Sequence, residues 1–281
     1  MATRKRIKLV RLAGIGVFVV FLSALWLNGS SFVAWYRFWR QFESIGANDE
    51  GYPEYRHRSS GIVFVHVPGG TFSMGSPVDE PGRRTHEGPQ HPVALSSFLI
   101  AKYQVTQGQW EGVMGSNPSD QEGRNLPVVD VSWADCHEFC QRTGLSLPTE
   151  AQWEYACRAG TTTRYHSGND ESALATLGWF GENAGNRVHA VGEKPANAWG
   201  IHDMHGNVFE WCEDLYDPAF YSSEEATKKD PICATGRGKR VIRGGLYSEP
   251  GRICRSAWRS GYLPSDRSGD TGVRFAFRLE R

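Results

Sequence analysis

Hydrophobic and polar positions divide the chain into three stretches. Arg4, Lys5, Arg6, Lys8 and Arg11 precede a run without charge from Leu12 to Tyr36, whose apolar heart is Ile15 to Leu27. A spanning helix needs about 20 mostly apolar residues, so this run is long enough to cross a membrane. Basic residues ahead of it favour a cytoplasmic N-terminus and an exported C-terminus. A cleaved signal peptide is the alternative, but no clean A-x-A site follows the apolar heart. Residues 1–11 therefore read as a basic cytoplasmic tail, 12–36 as a transmembrane anchor and the polar mixture 37–59 as a linker. The domain at 60–281 is then exported, periplasmic or extracellular, where disulfides are permitted.

Beyond residue 60 the pattern shortens. Ile62 to Val67 is a β-branched and aromatic run that Pro68-Gly69-Gly70 ends, and Thr71 to Met74 alternates like the returning strand of a hairpin. Ser76 to Pro92 is rich in Pro, Gly and charge and reads as a loop, whereas Val93 to Tyr103 reads as extended. Three helix starts carry capping boxes, Thr106 with Gln109, Ser132 with Asp135 and Thr149 with Gln152, with stops at Gly115, Gly144 and Gly160. After Gly160 no long periodic segment follows, which leaves one α+β domain with little regular structure.

Composition narrows the class. Among 281 residues, 31 basic and 31 acidic side chains balance, so no bulk charge points to nucleic acid. With 32 Gly, 10 Trp, 10 Tyr and 14 Phe, the chain reads as loops packed around rings. Cys136, Cys140, Cys157, Cys212, Cys233 and Cys254 form no C-x-x-C pair, which disfavours a zinc ribbon or thioredoxin-type site. His202 and His205 flank Asp203 without a third soft ligand at sensible spacing. No nucleophile elbow, P-loop or dinucleotide fingerprint appears.

Several segments together resemble one family. They are Val67 to Ser76, Tyr103-Gln104-Val105-Thr106-Gln107, Leu147-Pro148-Thr149-Glu150-Ala151-Gln152-Trp153-Glu154-Tyr155-Ala156, Gly206-Asn207-Val208-Phe209-Glu210-Trp211, Arg243-Gly244-Gly245, Arg255 to Arg259 and Gly272-Val273-Arg274. In order and spacing they are similar to the formylglycine-generating (sulfatase-modifying factor) enzymes. The resemblance implies an irregular, C-type-lectin-like fold. It also implies a structural calcium at Asp203, Gly206, Val208 and Glu210, carboxylates and carbonyls being the ligands that this hard ion takes.

The family's chemistry turns a peptide cysteine into formylglycine with oxygen, on a copper(I) ion held by two cysteine thiolates. These lie at the fourth and ninth positions after Gly-Gly. Counting from Gly245, the fourth is Glu249 and the ninth is Cys254, so the only candidate catalytic residue is Cys254 and the thiolate pair is incomplete. Cys254 reads as part of a strand, and the family resemblance suggests a Cys157–Cys254 disulfide, with Cys212–Cys233 as a second pairing. The concave face of the family would here present Leu246, Tyr247, Ser248, Glu249, Trp258, Arg259, Tyr262, Leu263 and Asp266, a mixture suited to binding a peptide, protein or small molecule. Three functions are therefore expected: a non-catalytic binding module, a copper-dependent oxidase of a sulfatase cysteine, or an accessory subunit of a membrane complex.

Overall fold

The computed structural model describes residues 29–236 and 238–279. The anchor at 12–36 lies mostly outside them, and among the described residues no helix is long and apolar enough to cross a membrane. The described residues divide into two units, one holding residues 29–42 and 279 and the other the residues between Glu43 and Arg278. In the first, helix α1 (Gly29–Gln41) carries Trp35, Tyr36 and Trp39 exposed on its surface.

The second unit is built on three sheets. The largest has five strands in the order β1 (Phe42–Ala47), β2 (Pro53–His57), β3 (Val63–Val67), β6 (Phe98–Ala101) and β11 (Ala276–Arg278). Residues 42–57, read as linker, therefore supply the two strands at one side of this sheet. Pro53-Glu54-Tyr55-Arg56-His57 is polar enough to pass for a linker, but its backbone pairs with β3. The expected hairpin does not form either. β3 pairs with β2 and β6, whereas β4 (Gly70–Met74) pairs with β5 (His91–Leu95) in a separate ribbon. β6 and β5 divide the segment read as extended.

All three capping boxes are present, at α2 (Gln107–Met114), α3 (Trp133–Thr143) and α4 (Glu150–Arg158). In each, the Ser or Thr oxygen accepts the third N–H while the Gln or Asp side chain bonds back to the cap N–H. Helix α4 is closed by Ala159 in the left-handed region, one residue before the glycine expected there. Every residue of α4 is buried, its polar ones included, so it runs through the core rather than over it.

The four-stranded sheet, β10 (Thr271–Gly272), β7 (Phe209–Leu215), β8 (Arg240–Arg243) and β9 (Ser260–Tyr262), includes parts of three of the family-like motifs, those at 206–211, 243–245 and 272–274. Trp153 of α4 joins it by donating its indole N–H to Glu210 Oε2 at 2.7 Å. Cys254 is not in a strand; it follows a single 3-10 turn, Gly251–Ile253.

Candidate functional site

The interior of this unit is held by buried charge. Arg158, Arg243, Arg255, Arg259 and Arg274 are all essentially inaccessible. Arg259 grips Glu150 with two parallel bonds of 2.7 Å, Arg158 meets Glu154 at 2.9 Å, and Arg243 pairs with Glu154 and lies 3.4 Å from Glu150. Arg255 holds Glu80 and Glu87, tying the 76–92 loop to the C-terminal segment. Planar guanidinium forks suit such buried carboxylates. Burial would raise the Glu154 pKa, but the Arg158 and Arg243 charges outweigh it and pull it down.

Asp214 sits beside Glu150 without a guanidinium of its own. Burial, then the charge of Glu150, pushes its carboxyl from 3.8 up to about 7, against the Cys233 and Glu150 N–H groups that it accepts. The folded protein thus keeps a proton that the unfolded chain has released. Support from Asp214 is full below pH 3.8 and is lost as pH rises through about 7. Asp214→Asn should therefore gain on the wild type by roughly 2 kcal/mol as pH rises from about 5 to 8. Urea unfolding of both proteins at each pH checks this, the difference removing the contributions of shared histidines. A difference that does not change with pH would mean that Asp214 is ionised throughout.

Asp203, Gly206, Val208 and Glu210 do come together. Their oxygens face the side-chain amide of Gln104, whose Nε2 lies 3.4 Å from Asp203 O, 3.3 Å from Gly206 O, 3.1 Å from Val208 O and 3.0 Å from Glu210 Oε1. Arg274 bonds both oxygens of Glu210 at 3.0 Å. Asp203 Oδ2 accepts the Gly192 N–H at 2.8 Å, while its Oδ1 is buried without a partner, and burial raises this carboxyl to about 6. The oxygen types suit calcium, but an N–H₂ donor stands among them.

The six cysteines are free and buried, so neither expected disulfide is present. Each thiol of the first pair has its own setting. Cys157 Sγ lies 3.7 Å from the Met204 carbonyl and 3.8 Å from the His205 ring, and Cys254 Sγ packs where a Cβ on Gly245 would stand. In the second pair, Cys233 Sγ turns to the Thr235 carbonyl at 3.1 Å. Cys254 is 0% exposed, and burial pushes its thiol far above the usual range. Glu249, at the place of the missing thiol, is exposed. Catalytic chemistry would need these two positions to face one ion, but one is sealed and the other open to solvent.

The residues expected on a ligand face separate into two groups. Leu246, Trp258 and Arg259 are buried. Trp258 stacks on Phe209 with centroids 5.1 Å apart, and Arg259 is spent on Glu150, so these build the frame instead of contacting a ligand. Tyr247 and Tyr262 are partly exposed, and Ser248, Glu249 and Leu263 are exposed. Asp266 Oδ2 accepts the Leu263 N–H at 2.8 Å and shapes that turn. Burial raises the Tyr262 phenol, and Asp270, Asp266 and Glu249 raise it further; Tyr247 is raised by burial, then Asp270 and Asp130. Asp130 itself is raised by burial, then by Asp120 and Asp270, with only Arg267 opposing. Two tyrosines thus stand among four carboxylates. Asp130 and Asp270 were missed in the sequence because no motif links them to Tyr247.

A family model described as "sulfatase-modifying factor enzyme 1-like domain" matches residues 50–279. The chain is 30% identical to a formylglycine-generating enzyme of Streptomyces coelicolor, over 75% of this chain and 88% of that protein. It is 27% identical to the mouse "inactive C-alpha-formylglycine-generating enzyme 2", over 76% of this chain and 85% of that one. The fold matches PvdO from Pseudomonas aeruginosa with a TM-score of 0.70 at 29% identity, covering 84% of this chain and 97% of that one. With its motifs in family order on this frame, the chain belongs to the family of sulfatase-modifying factor enzyme 1-like domains.

Proposed function

We propose that the domain is a non-catalytic binding module, carried on a membrane anchor at 12–36 and exported, whose ligand is a positively charged segment of a peptide or protein. One observation carries the non-catalytic half: Cys254 is sealed in the core while exposed Glu249 holds the place of the second thiol. That a relative is itself described as inactive fits a scaffold retained without the chemistry. Support for the ligand's charge comes from Tyr247 and Tyr262, set among Asp130, Asp266, Asp270 and Glu249. Phenol rings and carboxylates together suit guanidinium and ammonium groups, by cation–π contact and by charge.

Binding of synthetic peptides of matched length to the full-length protein tests this. Lys- and Arg-containing peptides should bind at least about tenfold more tightly than acidic ones, with affinity falling as salt rises. Tyr262→Ala with Asp270→Asn should remove the preference. Equal binding of acidic and basic peptides would reject a cationic ligand.

A further inference from the structure

We propose that in this chain the Gln104 side chain takes the place of the calcium ion that the family resemblance implies, so that the 203–210 loop is held without metal. Gln104 is fully buried, and its amide nitrogen reaches three backbone carbonyls and one carboxylate oxygen of that loop. The amide cannot simply be turned over to offer its oxygen instead. Gln104 Oε1 accepts from Asn207 Nδ2 at 3.0 Å. Asn207 is itself fixed, because its Oδ1 accepts the His189 N–H at 3.0 Å while its Nδ2 also donates to the His189 carbonyl at 3.1 Å. Turning Gln104 would set two N–H₂ groups against each other.

The charge and the spacing agree with this. Glu210 is neutralised by Arg274, with Trp153 as a further donor, so both carboxylate oxygens are occupied. Adding a divalent ion would leave buried positive charge in excess of the single remaining carboxylate, Asp203. The Val208 and Glu210 oxygens stand 3.1 and 3.0 Å from the central nitrogen, N–H···O distances, and those of Gly206 and Asp203 stand at 3.3 and 3.4 Å, whereas calcium draws its ligands to about 2.3–2.6 Å. Of the carboxylate oxygens of Asp203 and Glu210, Asp203 Oδ1 is the one without a hydrogen-bond partner, and calcium takes about six to eight oxygens.

Thermal unfolding of the full-length protein, in chelator and in excess calcium, tests the substitution. The wild type should melt at the same temperature in both. Gln104→Glu puts a carboxylate where the donor was, facing four oxygens. It should melt lower by roughly 5 °C or more in chelator, and recover most of that loss in calcium. If this variant does not fold in chelator, refolding it in calcium gives the same reading. A wild type that melts higher in calcium than in chelator would overturn the proposal. So would a Gln104→Glu variant that calcium does not restore.

Discussion

Glu150→Ala should lower the unfolding free energy by about 3–5 kcal/mol, a large share of the roughly 5–15 kcal/mol of an ordinary domain. Glu150 opens α4 and is 1% exposed. It is the only carboxylate bonded to Arg259 among the described residues, through two bonds of 2.7 Å. That guanidinium also meets the His86 and Asp217 carbonyls at 3.1 Å and the Tyr221 and Tyr216 rings at 4.2 and 5.1 Å. Removing Glu150 leaves a full positive charge inside without its bonded carboxylate, and takes a second negative charge from Arg243, 3.4 Å away. Glu43→Ala is the control. Its pairs with Arg56 and Arg58 are largely exposed, and such pairs contribute about 0–1 kcal/mol. Urea unfolding of both variants should separate them clearly. A loss below about 1 kcal/mol for Glu150→Ala would mean that water reaches Arg259 in the variant.

What was legible in the sequence was mostly local. The capping boxes depend on two side chains three residues apart, so Thr106, Ser132 and Thr149 could be read directly. Strand pairing is not local. β3 and β4 are separated by a turn that suits a hairpin, yet the partners of β3 come from residues 53–57 and 98–101. Residues 53–57 look like a linker because a short strand near a sheet edge can be polar. Arg259 looks like a ligand contact because an arginine is usually exposed, and nothing near it in sequence announces Glu150. The oxygen cluster was readable as a set, since Asp203, Gly206, Val208 and Glu210 lie within eight residues. Gln104, about a hundred positions earlier, was not, although its amide nitrogen faces all four oxygens.

The cysteines show how burial replaces the argument from pairing. A Cys157–Cys254 bridge would have removed the thiolate by bonding it. With both thiols free, Cys254 is withheld by its position instead: no part of it reaches solvent, and burial disfavours the anion that copper(I) requires. Glu249 cannot supply the second ligand, because a carboxylate is a hard oxygen donor and copper(I) selects soft sulfur. The protein should therefore leave a Cys-x-Pro-x-Arg peptide unchanged when incubated with copper, oxygen and reductant. Mass spectrometry of that peptide is the most direct measurement. An unaltered cysteine is the expected result, and an aldehyde formed by the wild type but not by Cys254→Ser would contradict the binding-module account.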